Sequence, residues 1–278
     1  MAYKTIVVLV NESENTPSCV EAAAAIAKVE EAHLIGVAMT GVTRFLKETV
    51  TIDGDSPDIA PFLDVLRKKA SKSLDKFDAI VESAGVKSIE RRILDNPFSK
   101  DGGLSGTCCD LWVLGQSDPN DSDSINAEIT AEILIKSACP ILLMPYKNPV
   151  KKVGSHVLIA WDGSAESHRA IRNAIPFLQK AETVHLVTFS HGLHAEELHQ
   201  QSLADIHAYL MRYGVRVDVS ERATSANVGD ALLMLVESTR SNLLVMGCYG
   251  HSPLHEMVFG GVTRKILKTM NTSVLLSH

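Results

Sequence analysis

Two hydrophobic rhythms alternate along this chain. Largely apolar runs at residues 6–10, 33–39, 111–114 and 141–144 read as strands buried on both faces. Between them, apolar positions recur every three or four residues, as in a helix with one buried stripe. That spacing predicts helices over 16–29, which contains the alanine run 22–25, and over 61–84, with Leu63, Leu66, Ala70, Leu74 and Phe77 on one face. A further helix is expected over 127–137. Residues 88–94 alternate as a strand, and a glycine-broken stretch (Gly102, Gly103, Gly106) precedes the run at 111–114.

The order then repeats. Strands are expected at 157–161, 184–189, 215–219, 243–246 and 273–276, with helices at 167–179, 196–213, 228–239 and 263–269. The halves also correspond locally. Val10-Asn11-Glu12-Ser13 matches Trp161-Asp162-Gly163-Ser164, Gly115 with its preceding apolar run matches Gly247, and Thr130 to Ile141 has the length of Thr263 to Val274. A period of half the chain indicates duplication of a whole α/β domain rather than a short repeat. The polar segment 147–152 (Lys-Asn-Pro-Val-Lys-Lys) reads as the linker, giving domains 1–149 and 150–278. Strand–helix alternation implies a mainly parallel sheet with helices on both faces. Ligands then sit beyond the carboxyl ends of the strands, where the strand order reverses.

Bulk numbers narrow the choice of partner. At 278 residues the chain accommodates two domains of ordinary size. A net charge of −6 leaves no basic stripe for a generic nucleic-acid binder, although one phosphate ligand needs only local backbone donors. No stretch approaches the apolar length of a membrane helix. The N-terminus runs directly into an apolar strand, without the pattern of a signal peptide. Five cysteines (Cys19, Cys108, Cys109, Cys139, Cys248) lack C-x-x-C spacing, and are expected to be reduced, mostly buried thiols of a cytoplasmic protein. Cys108 and Cys109 read as packing residues at a helix end rather than as a redox pair.

The densest chemistry lies at 243–263. An apolar run ends in Gly247-Cys248-Tyr249-Gly250, nine residues follow, and Gly260-Gly261-Val262-Thr263 opens a helical pattern. Glycines at such turns let backbone N–H groups close on an anion, and the helix N-terminus adds partial positive charge. Asp162, at the end of the first strand of the same half, converges on this crevice.

The spacing Gly247, Gly250, Gly260 resembles the universal stress protein family in its tandem form, as do Asp162-Gly163-Ser164 and Asn227-Val228-Gly229-Asp230. The resemblance covers the second half at motif level and the first half by architecture. It implies two fused α/β domains of flavodoxin/Rossmann-like type, each with a five-stranded mainly parallel sheet, their fifth strands pairing about a pseudo-two-fold axis. Further homodimerisation is left open.

The resemblance also implies ATP, with or without Mg²⁺, in the second domain of a stress-linked sensor that changes affinity for a protein partner. Ala160, Trp161 and Asp162 would lie at the base and ribose end, and the backbone of Phe189 would face adenine. Met246 and Gly247 would flank the ribose and α-phosphate, and Gly250, Gly260, Gly261, Val262 and Thr263 would wrap the remaining phosphates. Gly261 departs from the family pattern, which has Ser or Thr there. The N–H is kept but a hydroxyl worth about 1.5–3 kcal/mol to a charged group is lost. Trp161 either stacks on adenine or obstructs its pocket.

The first half breaks the pattern. Asn11 stands for Asp162, Ala127 and Glu128 stand for Gly260 and Gly261, and Asp118, Asp121 and Asp123 crowd the phosphate loop. No nucleotide is expected there. The alternative reading of the whole chain is a nucleotide-free interaction protein. A slow ATP hydrolase of the same fold is a third, but no Walker lysine and no nucleophile elbow appear. Ser164 and His168 are expected to cap a helix and face solvent. The cluster His191, His194, Glu196, Glu197, His199 has residue types zinc accepts but no specific motif, and reads as a polar loop entering a solvated helix. The aspartates at 118–123 lack the rest of a calcium loop.

Overall fold

A computed structural model describes residues 2–42, 60–95, 109–118, 125–147, 152–190, 196–224, 227–248 and 261–278. The expectations on Gly102, Gly103, Gly106, Cys108, Asp121, Asp123, His191, His194, Gly250 and Gly260 lie outside these residues, as do the side chains of Ala127, Glu128, Glu196, Glu197 and His199. Contacts divide the chain into two compact units, Tyr3–Cys139 and Pro140–His278. That division falls before the apolar run at 141–144 rather than at the polar linker.

The first unit runs β1 (Thr5–Val10), α1 (Thr16–Glu30), β2 (His33–Met39), α2 (Ala60–Ala84), β3 (Ile89–Leu94), β4 (Leu111–Gly115) and α3 (Ile125–Lys136). Its strands lie in the order β3-β2-β1-β4, all parallel. Ile6, Val7, Val8 and Val10 are buried, so β1 is covered on both faces, as its unbroken apolar run predicts. Gly36 in β2 has a packing reason: a Cβ there would stand 2.9 Å from the ring of Phe77, so its absence lets α2 lie flat on the sheet.

The second unit contains β5 (Ile141–Met144), β6 (His156–Ala160), α4 (Ala165–Leu178), β7 (Thr183–Ser190), α5 (Glu196–Arg212), β8 (Asp218–Ala223), α6 (Val228–Ser238), β9 (Leu243–Gly247), α7 (Gly261–Thr269) and β10 (Ser273–Ser277). The strand order is β5-β10-β9-β6-β7-β8. All neighbours are parallel except β5, which runs antiparallel to β10 with Leu142 opposite Leu275. The pairing of the two fifth strands is thus present. The architecture is α/β of Rossmann/flavodoxin type with mixed strands. Two sheets of five are corrected to four strands in one unit and six in the other, because β5 hydrogen-bonds to β10.

One element is displaced. The strand expected at 215–219 is β8, with its ladder opening at Asp218 opposite His185. Val215 is buried, but its N–H donates to the Leu210 carbonyl in the closing turn of α5, where Gly214 takes φ +75. The apolar alternation there belongs to a helix end. The true edge strand is mostly exposed and polar (Asp-Val-Ser-Glu-Arg-Ala). Among the described residues no helix is long and apolar enough to cross a membrane.

Candidate functional site

In the second unit the strand order reverses between β6 and β9. Their register runs Val157–Leu243 to Ile159–Val245, so their carboxyl ends stand side by side. The chain leaves β6 through Trp161, whose N–H donates to the Val187 carbonyl at 2.9 Å. Asp162 follows, and its Oδ1 accepts from the Ser164 amide (3.0 Å) and hydroxyl (2.6 Å). Gly163 allows this turn by taking φ +77, where a side chain would be strained. Ser164 then caps α4, accepting from the Ser167 amide at 3.1 Å, as its sequence position suggests. His168 is exposed, its ring 5.3 Å from that of Tyr209.

Asp162 is kept ionised by this setting. Burial of its inner side pushes the pKa up, but the Ser164 hydroxyl and amide, with Ser167, outweigh it and hold the carboxyl below its ordinary value. A fixed carboxylate accepts hydrogen bonds only. It therefore suits a hydroxyl-bearing group rather than a phosphate.

Gly247 closes β9 against the first turn of α4. A Cβ at this position would meet the Ser167 amide nitrogen at 2.6 Å and the Glu166 carbonyl carbon at 2.7 Å. The glycine is thus required by packing before any ligand is considered. Met246 is buried, and the Cys248 thiol beside it is pushed up to about 12 by burial, Glu166 adding to the shift. Phe189 lies in β7 opposite Arg222. Strand alternation that sends the Val187 carbonyl toward Trp161 sends the Phe189 N–H and carbonyl the same way, past the end of β6.

Gly261 is the first residue of α7, two residues earlier than the helix predicted from Thr263. The first N–H groups of a helix lack intrahelical partners, so Gly261 and Val262 present donors. Among the described residues, a Cβ at Gly261 would meet nothing within 4 Å. Thr263 is buried, and so is its first-unit counterpart Thr130. Trp161 is 8% exposed, and its indole N–H donates to the Ser202 hydroxyl of α5 at 3.3 Å. Little of the ring is left for a stacked base. Ala160 ends β6 opposite Val187. The structure thus gathers Ala160, Trp161, Asp162, Phe189, Met246 and Gly247 at one strand-end cluster of the second unit.

The corresponding turn of the first unit is closed by a residue that sequence reading overlooked. Asn15 is buried, donates its amide to the Gln116 carbonyl at 3.0 Å, and accepts from the Ser13 hydroxyl. Its amide atoms stand 2.7–2.8 Å from where a Gly115 Cβ would be. The signal was present as an amide at a helix start, where it reads only as a cap.

A model of the universal stress protein family matches residues 155–278. Over the whole length, the chain is similar in structure to a universal stress protein from Archaeoglobus fulgidus, at 17% identity and TM-score 0.73, covering 98% of this chain and 95% of that one. It is also similar to a functionally unknown protein from Pseudomonas aeruginosa PAO1, at 15% identity and TM-score 0.60, covering 99% and 92%. The chain therefore has the fold of universal stress proteins across both units. Among curated proteins no sequence match was found.

Proposed function

We propose that the second unit belongs functionally to the universal stress proteins and binds an adenine nucleotide, ATP by resemblance, as a nucleotide-linked regulator. The base lies along the Phe189 backbone, the ribose hydroxyls donate to Asp162, and the phosphates run past Gly247 and Gly250 to the 260–263 segment at the start of α7. The carrying observation is Asp162: a carboxylate held charged at the strand-order reversal, beside a helix-flanked glycine, within the stretch that matches the family. The first unit serves as scaffold or partner surface, its equivalent turn being filled by Asn15.

A metal ion would enter on the phosphates. Among the described residues no group of three His, Cys, Asp or Glu is placed to hold one. Trp161 favours the second reading, an interaction protein without nucleotide, because its buried ring offers a base little surface. Isothermal titration of the full chain with ATP separates the two. One site is expected, abolished in Gly250→Asp; absence of heat with the wild type leaves only the interaction reading. Single-turnover assays with ATP are expected to give no product above buffer.

A further inference from the structure

The repeat carries a pair of side chains at the opposite end of its sheets from the nucleotide crevice. In the second unit, the Thr272 hydroxyl before β10 donates to the carbonyl of Ser241 before β9, at 3.2 Å. The matching positions in the first unit are Cys139, before β5, and Cys109, before β4. The Cys139 thiol donates to the Cys109 carbonyl at 2.6 Å. Duplication has kept the contact and changed the atoms: hydroxyls in one copy, thiols in the other.

Both cysteines sit on fixed backbone. The Cys139 N–H donates to the Ser137 hydroxyl at 3.1 Å, and that hydroxyl donates to the Cys139 carbonyl at the same distance. Next to Cys109, the Asp110 N–H donates to the Thr5 carbonyl, and its carboxylate accepts the amides of Lys4 and Thr5 at 2.7 and 2.9 Å. Cys109 is buried while Cys139 is partly exposed. Cys139 is thus the more accessible of the two.

We propose that Cys109 and Cys139 form an oxidisable dithiol, a site of reversible disulfide formation driven by hydrogen peroxide. The Cys139 thiolate attacks one peroxide oxygen and the O–O bond breaks. The other oxygen leaves as hydroxide, is protonated to water, and Cys139 becomes a sulfenic acid. The Cys109 thiolate then attacks the Cys139 sulfur and expels the second hydroxide, which also becomes water. Two thiols lose two protons and two electrons, and the peroxide is reduced to two waters. The order of attack follows from exposure and acidity. The Cys139 thiol is lowered from its ordinary pKa, chiefly by hydrogen bonding with the Cys109 side chain. Cys19 and Cys248 are instead pushed up to about 12 by burial and stay as thiols.

Peptide mass mapping of the full chain after hydrogen peroxide and thiol blocking tests this. The expected product joins Cys109 to Cys139 with loss of two hydrogens, reverts with dithiothreitol, and forms to the same yield in Cys108→Ser. The double variant Cys109→Ser with Cys139→Thr, which copies Ser241 and Thr272, keeps the native urea midpoint and forms no bond. The proposal is overturned if both thiols stay reduced, if Cys139 is over-oxidised with Cys109 untouched, or if the bond requires Cys108.

Discussion

Asn11 and Asp162 occupy the same place in two copies of one turn. Each side-chain oxygen accepts the amide and hydroxyl of a serine two residues on, at 3.0 and 2.6 Å in both units. Asn11 also takes the Thr16 hydroxyl at 2.5 Å. The turn therefore needs an acceptor, not a charge. A neutral amide serves the first copy, so the turn can form without the charge that Asp162 carries in the second, and this supports the ligand role proposed for that carboxylate. The neighbouring residue diverges in the same sense. Asn15 fills the crevice of the first unit, whereas its counterpart Glu166 turns to Arg169 at 2.5 Å.

The sharpest way to break this comparison is at the paired glycines. Gly247→Ala drives a Cβ into backbone atoms of α4 and is expected to cost about 1–3 kcal/mol by urea unfolding. Gly115→Ala meets first the Asn15 side chain, which can give way more readily than backbone, so its cost should be smaller. Equal costs would mean that the two crevices are packed alike.

A gain is expected at Gly261→Ser, where no described atom lies within 4 Å of the added Cβ and the hydroxyl would reach the phosphates of the proposed site. ATP affinity should rise roughly tenfold by titration calorimetry. An unchanged affinity would place the phosphates elsewhere. Asp162→Asn should weaken ATP roughly three- to tenfold, while stability at pH 7 moves by no more than about 0.5 kcal/mol. A large loss of stability in that variant would contradict the equivalence with Asn11.

The smallest effect is in acid. The folded-state pKa of Asp162 is depressed, so its contribution to stability is fully present above the unfolded value of about 3.9. It is lost as pH falls through the lower folded value. The urea midpoint of Asp162→Asn should therefore fall less than that of the wild type between pH 7 and pH 3.

Strand and helix order was legible because most buried strands carry a dense apolar run and the helices an apolar stripe. β8 was misplaced because an edge strand of polar residues leaves no such run, while Val215 and Val217 imitate one next to the end of α5. The meeting of Asp162 with Gly247 could be read from where the strands end. Two things could not. The packing demand on Gly247 arises from the first turn of α4, eighty residues earlier in the chain. The blocking role of Asn15 depends on a carbonyl at position 116 that no local pattern links to it.

The strand β5 has a consequence for how this chain can be divided. Residues 141–144 lie on the N-terminal side of the polar linker yet hydrogen-bond along β10. A fragment beginning at 150 would leave Val274, Leu275 and Leu276 on a bare sheet edge, a template for another copy of itself. Such a fragment is expected to sediment as a dimer or aggregate. The fusion of the repeats thus turns an edge that would recruit a second molecule into one satisfied within a single polypeptide.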